Sequence, residues 1–197
     1  MNQNNMRTLI VSAWVTLDGV FDADTMDQWF IPYDSVERQE YIREGILACD
    51  AILLGRTTYE MLAPYWSSLK NNEMGVAAKL NSVSKFVVST TLIKAEWNNS
   101  TIIKEKVVEE ITKLKQQPGK EIQIEGSATL VQSLMQANLI DEYRFLVHPI
   151  IMGSGKRFFK DGMHTTGLKL VKTKTLDLGV ILLCYQPAKI SRQTTEA

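Results

Sequence analysis

The feature of this sequence that most constrains its fold is a regular alternation of short apolar runs with stretches of helical periodicity. The apolar runs have the length of β-strands, and the segments between them carry apolar residues at helical spacing. This order is typical of crossover units, in which a strand is followed by a helix and then by a parallel strand. We therefore expect an α/β fold with a mostly parallel central sheet. The predicted strands lie at residues 9–15, 51–54, 86–89, 102–103 and 122–124.

Capping residues indicate where two helices begin. Asp34 and Glu37 have the spacing of a capping box, which predicts that a helix opens there. Gly126 and Ser127 precede a second helical stretch. The predicted apolar face of the first helix consists of Val36, Tyr41, Ile42, Ile46 and Leu47, and that of the second helix of Leu130, Val131, Leu134 and Met135.

The pattern changes in the last third of the chain. Tyr143, Phe145 and Val147 recur at the period of a strand, and further strand-like runs follow near Leu168 and at 180–185 with no helix between them. The sheet is therefore expected to finish with antiparallel strands. We predict a disordered or extended N-terminus at 1–6, a single domain at 7–187 and a C-terminal tail at 188–197.

Charge and composition argue against several classes of protein. The 22 basic residues balance 22 acidic ones, so no net field would attract nucleic acid or an anionic membrane. Cys49 and Cys184 stand in apolar stretches, as buried thiols of a reduced cytoplasmic protein do. His148 and His164 are isolated, so no metal site is expected, and His148 is interpreted as structural. Since no segment approaches the ~20 apolar residues of a membrane span, we expect a cytoplasmic protein.

Small and hydroxyl residues follow three of the predicted strands, at 55–60, 89–91 and 126–128. Because the carboxyl ends of parallel strands meet at one edge of a sheet, these turns are expected to lie side by side. A glycine beside a free helix N-terminus suits a phosphate, and Arg56 can add a bidentate contact. Any one turn is better explained by ordinary helix capping. Their joint placement favours a nucleotide site.

The end of the first strand carries a second kind of candidate. Thr16, Asp18 and Gly19 have the composition of a turn, for which a structural and a functional role are equally supported. Asp18 is the candidate for a polar group at a reacting centre, acting directly or through a water. The glycine-rich segment 153–157 is interpreted as a hairpin connection. The aromatic candidates for stacking on a substrate are Trp14, Trp29, Tyr33 and Trp66.

Six motifs in a fixed order resemble one known family. They are TLDG from Thr16, LLGRTTYE from Leu53, VVSTTL from Val87, IEGSATL from Ile124, LIDEY from Leu139 and PIIMGSG from Pro149. The chain from about residue 7 to 187 resembles the stand-alone members of the family formed by the reductase domain of bacterial bifunctional riboflavin-biosynthesis proteins. That family lies within the dihydrofolate-reductase-like superfamily.

The resemblance implies a three-layer fold that binds NADPH across the strand ends. In it, Gly55, Arg56 and Thr58 would hold phosphates, and Ser89 and Thr90 would hold the adenosine end with its 2′-phosphate. The pyrophosphate would be held by Gly126, Ser127 and Ala128. The nicotinamide would lie near Thr16, Asp18 and Gly19. The third turn of dihydrofolate reductases carries paired glycines, whereas Glu125 occupies the first position here. Its carboxylate would repel a phosphate if it faced the cleft.

The implied activity is NADPH-dependent hydride transfer to a small heterocyclic, imine or carbonyl substrate, with a phosphoribosylamino-pyrimidine of the riboflavin pathway as the first expectation. Dihydrofolate reduction is an alternative, but it calls for a carboxylate on the first helix, where Gln39 stands between Glu37 and Glu40. A non-catalytic NADP(H)-binding protein is the other alternative. The family and the long apolar run at 180–185 also predict a homodimer built from residues 142–149 and 168–185.

Overall fold

One mixed β-sheet with helices on both faces organises the chain. The computed structural model describes residues 6–188. The strands are β1 (Thr8–Thr16), β2 (Cys49–Gly55), β3 (Ser84–Val88), β4 (Ser100–Ile103), β5 (Glu121–Ile124), β6 (Glu142–His148), β7 (Gly167–Thr175) and β8 (Ile181–Ala188). The helices are α1 (Met26–Trp29), α2 (Val36–Ala48), α3 (Arg56–Ser68), α4 (Ala77–Ser82), α5 (Val107–Gln116) and α6 (Ala128–Gln136).

The strand order is β4-β3-β2-β5-β1-β6-β8-β7. The six strands from β4 to β6 in that order are mutually parallel, and β8 pairs antiparallel with both β6 and β7. Since α6 carries the chain across the sheet between β5 and β6, β6 returns parallel to β1. Between β6 and β8 the described residues contain a short 3-10 helix (Asp177–Gly179) but no α-helix, and the strands there run antiparallel. The predicted α/β fold with an antiparallel C-terminal part is confirmed.

The central strands are buried on both faces because helices cover both sides of the sheet. In β2, Ala51 and Leu53 point into the core under α5 and α6, whereas Ile52 and Leu54 point into the core under α2, α3 and α4. A strand that is covered on both faces has a continuously apolar sequence rather than one in which apolar and polar residues alternate. The result is three layers, with the carboxyl ends of the parallel strands along one edge.

The beginning of α2 differs from the predicted capping box. Ser35 is the capping residue, and its Oγ accepts a hydrogen bond from the backbone N–H of Arg38 at 3.2 Å. Asp34 instead accepts from the Arg38 guanidinium at 2.7 Å. The predicted apolar face is also wrong at its ends, because Val36 is 72% exposed and Leu47 is 42% exposed. Arg38 is buried on that face, since its charge is satisfied by hydrogen bonds.

Two short helices were not predicted. α1 lies in the segment between β1 and α2 that was expected to be a loop, and α4 precedes β3. They span 4 and 6 residues, too few for a periodic pattern to stand out in the sequence. The predicted N-terminus and C-terminal tail fall largely at 1–5 and 189–197, outside the described residues. None of the described helices is long and apolar enough to cross a membrane.

Candidate functional site

Two cavities meet where β1 and β5 end. The first, which we call the α2-side cavity, has a volume of about 500 Å³ and lies between α2, β2 and α3. The second, the α6-side cavity, has a volume of about 430 Å³ and lies against the N-termini of α3 and α6. Among the described residues, Trp14 and Glu125 are the two that line both cavities. A reaction between two bound molecules would therefore take place beside these side chains.

Hydroxyl groups and cations line the α6-side cavity. Its hydroxyl residues are Ser12, Thr57, Thr58, Ser127 and Thr129, and its cations are Lys156, Arg157 and Lys160. The first turns of α3 and α6 add unpaired backbone N–H groups and the positive ends of two helix dipoles. This combination suits the phosphates of a dinucleotide.

Glycines bring the N-termini of α3 and α6 together. The backbone N–H of Gly55 donates to the carbonyl oxygen of Gly126 at 3.0 Å. A Cβ atom on Gly55 would lie 2.6 Å from the Oγ of Ser127, so no larger residue fits without displacement. Gly126 has a φ of +124°, and a Cβ there would lie 3.0 Å from Oγ1 of Thr58. The first and third predicted turns therefore form one continuous cradle.

The α2-side cavity is mainly apolar. Aromatic and aliphatic side chains from β1, α2, β2, α3, α4 and the segments between them line it, including Trp66 of α3 and the buried Trp97. Its remaining lining residues are Asp34, Arg38, Gln39, Glu40, Arg43 and Glu125. A pocket of this kind, with few polar groups, is typical of a site for a small organic molecule.

Glu125 is the acid at the junction of the two cavities. Burial raises the pKa of its carboxyl to about 7, and a hydrogen bond from Nε2 of Gln123 opposes that rise. Gln123 is itself buried in β5. The carboxyl is thus poised to carry and release a proton near neutral pH, which is the property of a general acid. From the sequence alone, Glu125 was expected only to repel a phosphate.

Asp18 holds a turn together. Its carboxylate accepts hydrogen bonds from Oγ1 of Thr16 at 2.6 Å and from the backbone N–H groups of Met152 at 3.2 Å and Gly153 at 2.9 Å. These bonds, that from Thr16 foremost, lower the pKa of Asp18 to about 2 against the effect of burial. Within the described chain Asp18 lines neither cavity. The geometry therefore favours the structural role over the proton-donating one.

A buried network supports the wall of the α2-side cavity. Arg38, only 2% exposed, donates to the carbonyl oxygen of Phe30 at 2.7 Å and to Nε2 of His148 at 3.2 Å. Nδ1 of His148 lies 3.1 Å from the carbonyl oxygen of Val15, and burial lowers the pKa of this histidine to about 4. The ring is neutral and structural, as expected. Phe30, held beneath Arg38, stacks on Trp14 with ring centroids 4.5 Å apart.

Each of the other aromatic candidates either lines a cavity or packs behind one. Trp66 lines the α2-side cavity, and Trp29 lines the α6-side cavity while its Nε1 donates to the carbonyl oxygen of Asp22 at 3.1 Å. Tyr33 packs its ring against His148 and donates its hydroxyl to the carbonyl oxygen of Pro149 at 3.3 Å. Tyr33 therefore lies behind the site as a support.

The remaining cofactor candidates lie along the same sheet edge. Oγ of Ser89 accepts from the backbone N–H groups of Thr91 at 3.2 Å and Leu92 at 2.9 Å, which shapes the turn after β3. Thr90 is exposed. Arg56 is half exposed, and its guanidinium lies 3.8 Å from the carboxylate of Glu60. None of these three residues is among the described residues that line the α6-side cavity.

The segment expected to be a simple hairpin connection contributes to the site. Nζ of Lys156 bonds Asp22 at 3.2 Å and Asp24 at 2.8 Å, and Arg157 donates to the backbone carbonyl of Asp18. Both cations also line the α6-side cavity. The sequence signal was present, because two adjacent cations follow the glycines, but only the fold shows that they face the cleft.

Known proteins resemble this chain over nearly its whole length. YyaP of Bacillus subtilis strain 168, an uncharacterised protein, is 30% identical over 189 residues, which cover 93% of this chain and 97% of that protein. A Shewanella sp. PV-4 protein named for riboflavin biosynthesis superposes with a TM-score of 0.71 at 20% identity, covering 92% of this chain and 99% of that one.

A dihydrofolate reductase from Enterococcus faecalis, solved with NADP(H), superposes with a TM-score of 0.62 at 15% identity, covering 92% of this chain and 97% of that one. The dihydrofolate-reductase-like fold inferred from the sequence is thereby confirmed. The profile of the RibD C-terminal domain matches residues 7–182. With its six motifs and its fold in agreement, the chain belongs to the RibD C-terminal domain family.

Proposed function

We propose that this protein is an NADPH-dependent reductase that binds the dinucleotide in the α6-side cavity and a small heterocyclic acceptor in the α2-side cavity. The observation that carries the proposal is the junction at Trp14 and Glu125, where a cavity rich in cations and hydroxyls meets an apolar one. Membership of the RibD C-terminal domain family supports an oxidoreductase.

The residues of the α6-side cavity fit a dinucleotide. The N-termini of α3 and α6, which are held together at Gly55 and Gly126, offer their N–H groups to a pyrophosphate. Thr57, Thr58 and Lys160 supply side-chain contacts. By the family resemblance, Arg56, Ser89 and Thr90 would contact the adenosine end and its 2′-phosphate, and Thr16 and Gly19 would lie near the nicotinamide, which supplies the hydride when bound.

Glu125 is the proposed proton donor. Reduction of a C=N or C=O bond adds a hydride to carbon and a proton to the heteroatom, and the carboxylic acid of Glu125 supplies that proton. The resulting carboxylate regains a proton from solvent. Trp14 and Phe30 form a flat wall beside the reacting groups, which orients the acceptor. Gln123 holds the carboxyl in place through its hydrogen bond.

The two alternatives receive less support. For dihydrofolate reduction, Glu37 is bound to Lys174 at 2.5 Å, while Gln39 and Glu40 line the α2-side cavity as exposed residues. The buried carboxylate that folate chemistry calls for is thus absent from α2, within the described residues. A protein that only binds NADP(H) would have no use for a carboxyl of raised pKa between two cavities.

Titration of NADPH and NADH, followed by nucleotide fluorescence, tests the cofactor assignment. We expect tighter binding of NADPH, because the half-exposed Arg56 and the exposed Thr90, which the family resemblance assigns to the adenosine end, can bind a 2′-phosphate. Equal affinities, or no binding of either nucleotide at millimolar concentration, would contradict the proposal.

We also propose a homodimer that covers the edge formed by β7. Leu168, Leu170 and Val171 of β7 and Ile181 of β8 are between 38% and 46% exposed, which is unusual for a sheet edge exposed to water. Light scattering after size exclusion distinguishes the states. A mass that remains near the 22.3 kDa of one chain at every concentration would rule out the dimer.

A further inference from the structure

We infer that Gln123 is a positioning residue that keeps the transferable proton of Glu125 on Oε2, the carboxyl oxygen that faces the junction of the two cavities. This role rests on the proposed function, in which Glu125 donates the proton, and it gives the two oxygens of that carboxyl separate tasks. The features that carry it are the direction from which Gln123 approaches and the hydrogen bonds of both side chains.

Gln123 approaches the carboxyl from the side away from the junction. It lies within β5, Glu125 directly follows that strand, and residues two apart on a strand project to the same face of the sheet. Of these two residues, Glu125 lines the α2-side and α6-side cavities, whereas Gln123 lines a third cavity of about 360 Å³ between α2 and the strands β1, β5, β6, β7 and β8. The bond between the two side chains therefore reaches the carboxyl on the side opposite the junction.

The two oxygens of the Glu125 carboxyl have different surroundings. Oε1 accepts the hydrogen bond from Nε2 of Gln123. Oε2 has no hydrogen-bond partner among the described residues, and it is not one of the buried polar atoms that lack a partner there, so it is accessible from a cavity. Because Oε1 already accepts an N–H, the proton of the neutral acid resides on Oε2.

The surroundings of Gln123 hold its amide in the donating orientation. Its Oε1 is buried without a partner, and a Cβ atom on Gly45 of α2 would lie 3.6 Å from that oxygen. Turning the amide over would place the two N–H donors of Nε2 against the interior of α2, where backbone carbonyls already accept helical hydrogen bonds. A buried N–H without an acceptor is tolerated less well than a buried carbonyl without a donor. Nε2 therefore faces Glu125 whether the carboxyl is ionised or neutral.

Charged groups surround the carboxyl at a greater distance than Gln123 does. Those of the α2-side cavity are Asp34, Arg38, Glu40 and Arg43. Those of the α6-side cavity are Asp22, Lys156, Arg157 and Lys160. Those of the third cavity are Glu44, Glu142, Arg144 and Lys172. Cys49 stays neutral, because burial raises the pKa of its thiol to about 12. Burial and the bond from Gln123 are the two influences that set the pKa of Glu125.

A substitution that removes the amide tests the inference without any ligand. Gln123→Met keeps the length of the side chain and deletes the bond to the Glu125 carboxyl. The matched control is Gln132→Met, because Gln132 is also buried and its Nε2 donates to the carbonyl oxygen of Phe158 at 2.6 Å. The two substitutions thus make the same change in two buried glutamines, only one of which contacts Glu125.

The ionisation of Glu125 is followed by carbon-13 NMR of the side-chain carboxyls, with Glu125→Gln to assign the signal. Loss of a hydrogen bond to the charged form raises the pKa of a carboxyl. We therefore expect the pKa of Glu125 to rise by about 1 in Gln123→Met and to stay unchanged in Gln132→Met. An unchanged pKa in Gln123→Met, or an equal rise in Gln132→Met, would overturn the inference.

Infrared spectroscopy shows which oxygen of the neutral acid Gln123 contacts. The carbonyl band of Glu125 is isolated as the difference between the native protein and Glu125→Gln at about pH 5, below the pKa of about 7. If Nε2 of Gln123 donates to the carbonyl oxygen, the band moves to higher frequency in Gln123→Met, because the C=O bond is no longer weakened by that hydrogen bond. A band that does not move would mean that the proton resides on Oε1, and the inference would be wrong.

The proposed function fails separately from this inference. If NADPH does not bind, the reductase proposal fails, and the role in proton transfer falls with it whatever the two spectra show. If NADPH binds and Gln123→Met leaves the pKa and the carbonyl band of Glu125 unchanged, the reductase proposal stands and the inference about Gln123 is wrong.

Discussion

The two cavities on either side of Glu125 are built in different ways. The α6-side cavity lies against the N-termini of α3 and α6, which meet at Gly55 and Gly126, and hydroxyls and cations line it beside large side chains such as Trp29. The α2-side cavity is formed by large side chains from distant parts of the chain, and its wall depends on the buried Arg38 network. In the proposed function, the first cavity binds an anionic dinucleotide at helix N-termini, and the second binds the acceptor beside the carboxyl of Glu125.

This division has a consequence for what substitutions can change. Side-chain substitutions in the α2-side cavity can alter the acceptor while the dinucleotide site keeps its backbone geometry. Changes at the cradle glycines affect the dinucleotide first, because they separate the N-termini of α3 and α6. Because Glu125 lines both cavities, its substitution can affect both the acceptor and the dinucleotide.

The largest expected effect is that of Glu125→Gln. Removing a general acid lowers the rate by about 10²–10⁴-fold, and the affinity for NADPH should change little because the side chain is replaced by a neutral one of equal size. In the native protein the rate should fall as pH rises past about 7, since only the protonated carboxyl can donate. Steady-state rates across pH and an NADPH titration provide the measurement.

Glu40→Gln is the matched control for that substitution. Glu40 also lines the α2-side cavity but is exposed at its rim, so its loss should leave the descending limb of the pH profile in place. Equal losses of rate in the two variants would show that the cavity tolerates no change of charge, and the specific role of Glu125 would be contradicted.

The sequence predicted parts of both cavities. Thr58, Ser127 and Ala128 of the predicted cofactor residues line the α6-side cavity, and Trp14 and Trp66 of the predicted aromatic residues line the α2-side cavity. Gly55, Thr58 and Gly126 follow strands in local motifs, and the strand order of an α/β fold brings such turns to one edge. The α2-side cavity combines Trp14 of β1 with Trp97, which lies after β3, and no local pattern relates them. Side chains that are neighbours only through tertiary packing leave no periodic signal in the sequence.

Charged residues in the interior explain most of the other differences. Arg38 and His148 are buried because they satisfy one another and nearby carbonyls, whereas a sequence pattern treats arginine as an exposed residue. The sequence made Asp18 the candidate for the polar group at the reacting centre and gave Glu125 no such role. The surroundings of the two residues favour Glu125 instead. Hydrogen bonds lower the pKa of Asp18 to about 2, and burial raises that of Glu125 to about 7.

Arg56→Ala is expected to have the next largest effect. Loss of a charge-assisted phosphate contact costs on the order of 1.5–3 kcal/mol, so the Kd for NADPH should rise by about tenfold or more. The melting temperature should not change, because the pair with Glu60 is long and exposed. Arg43→Ala removes an exposed arginine from the other cavity and should leave NADPH binding unchanged. A fall in melting temperature together with affinity would make Arg56 a structural residue.

Two glycine substitutions compare the cradle with α2, the helix beside the α2-side cavity. Gly55→Ala places a Cβ 2.6 Å from Oγ of Ser127, and such overpacking costs about 1–3 kcal/mol of unfolding free energy. Gly45 lies inside α2, where a Cβ would meet nothing closer than 3.6 Å, so Gly45→Ala should stabilise the protein by about 0.4–1 kcal/mol. Chemical denaturation measures both. Gly55→Ala should also weaken NADPH binding, and a stable variant with full affinity would contradict the proposed cradle.

The last prediction concerns the dependence of stability on the ionisation of Glu125. Its pKa is raised from 4.5 to about 7 in the folded protein, so the folded state retains a proton that the unfolded state has lost between these values. The contribution of this group to stability is therefore greatest below pH 4.5 and declines as pH rises through about 7. Glu125→Gln removes that decline, so its melting temperature relative to the native protein should be higher at about pH 8 than at about pH 5, by roughly 2–4 °C for each kcal/mol. A difference in melting temperature that is the same at both values would show that the carboxyl is already hydrated and ionised at neutral pH, and the junction would then lack its proton donor.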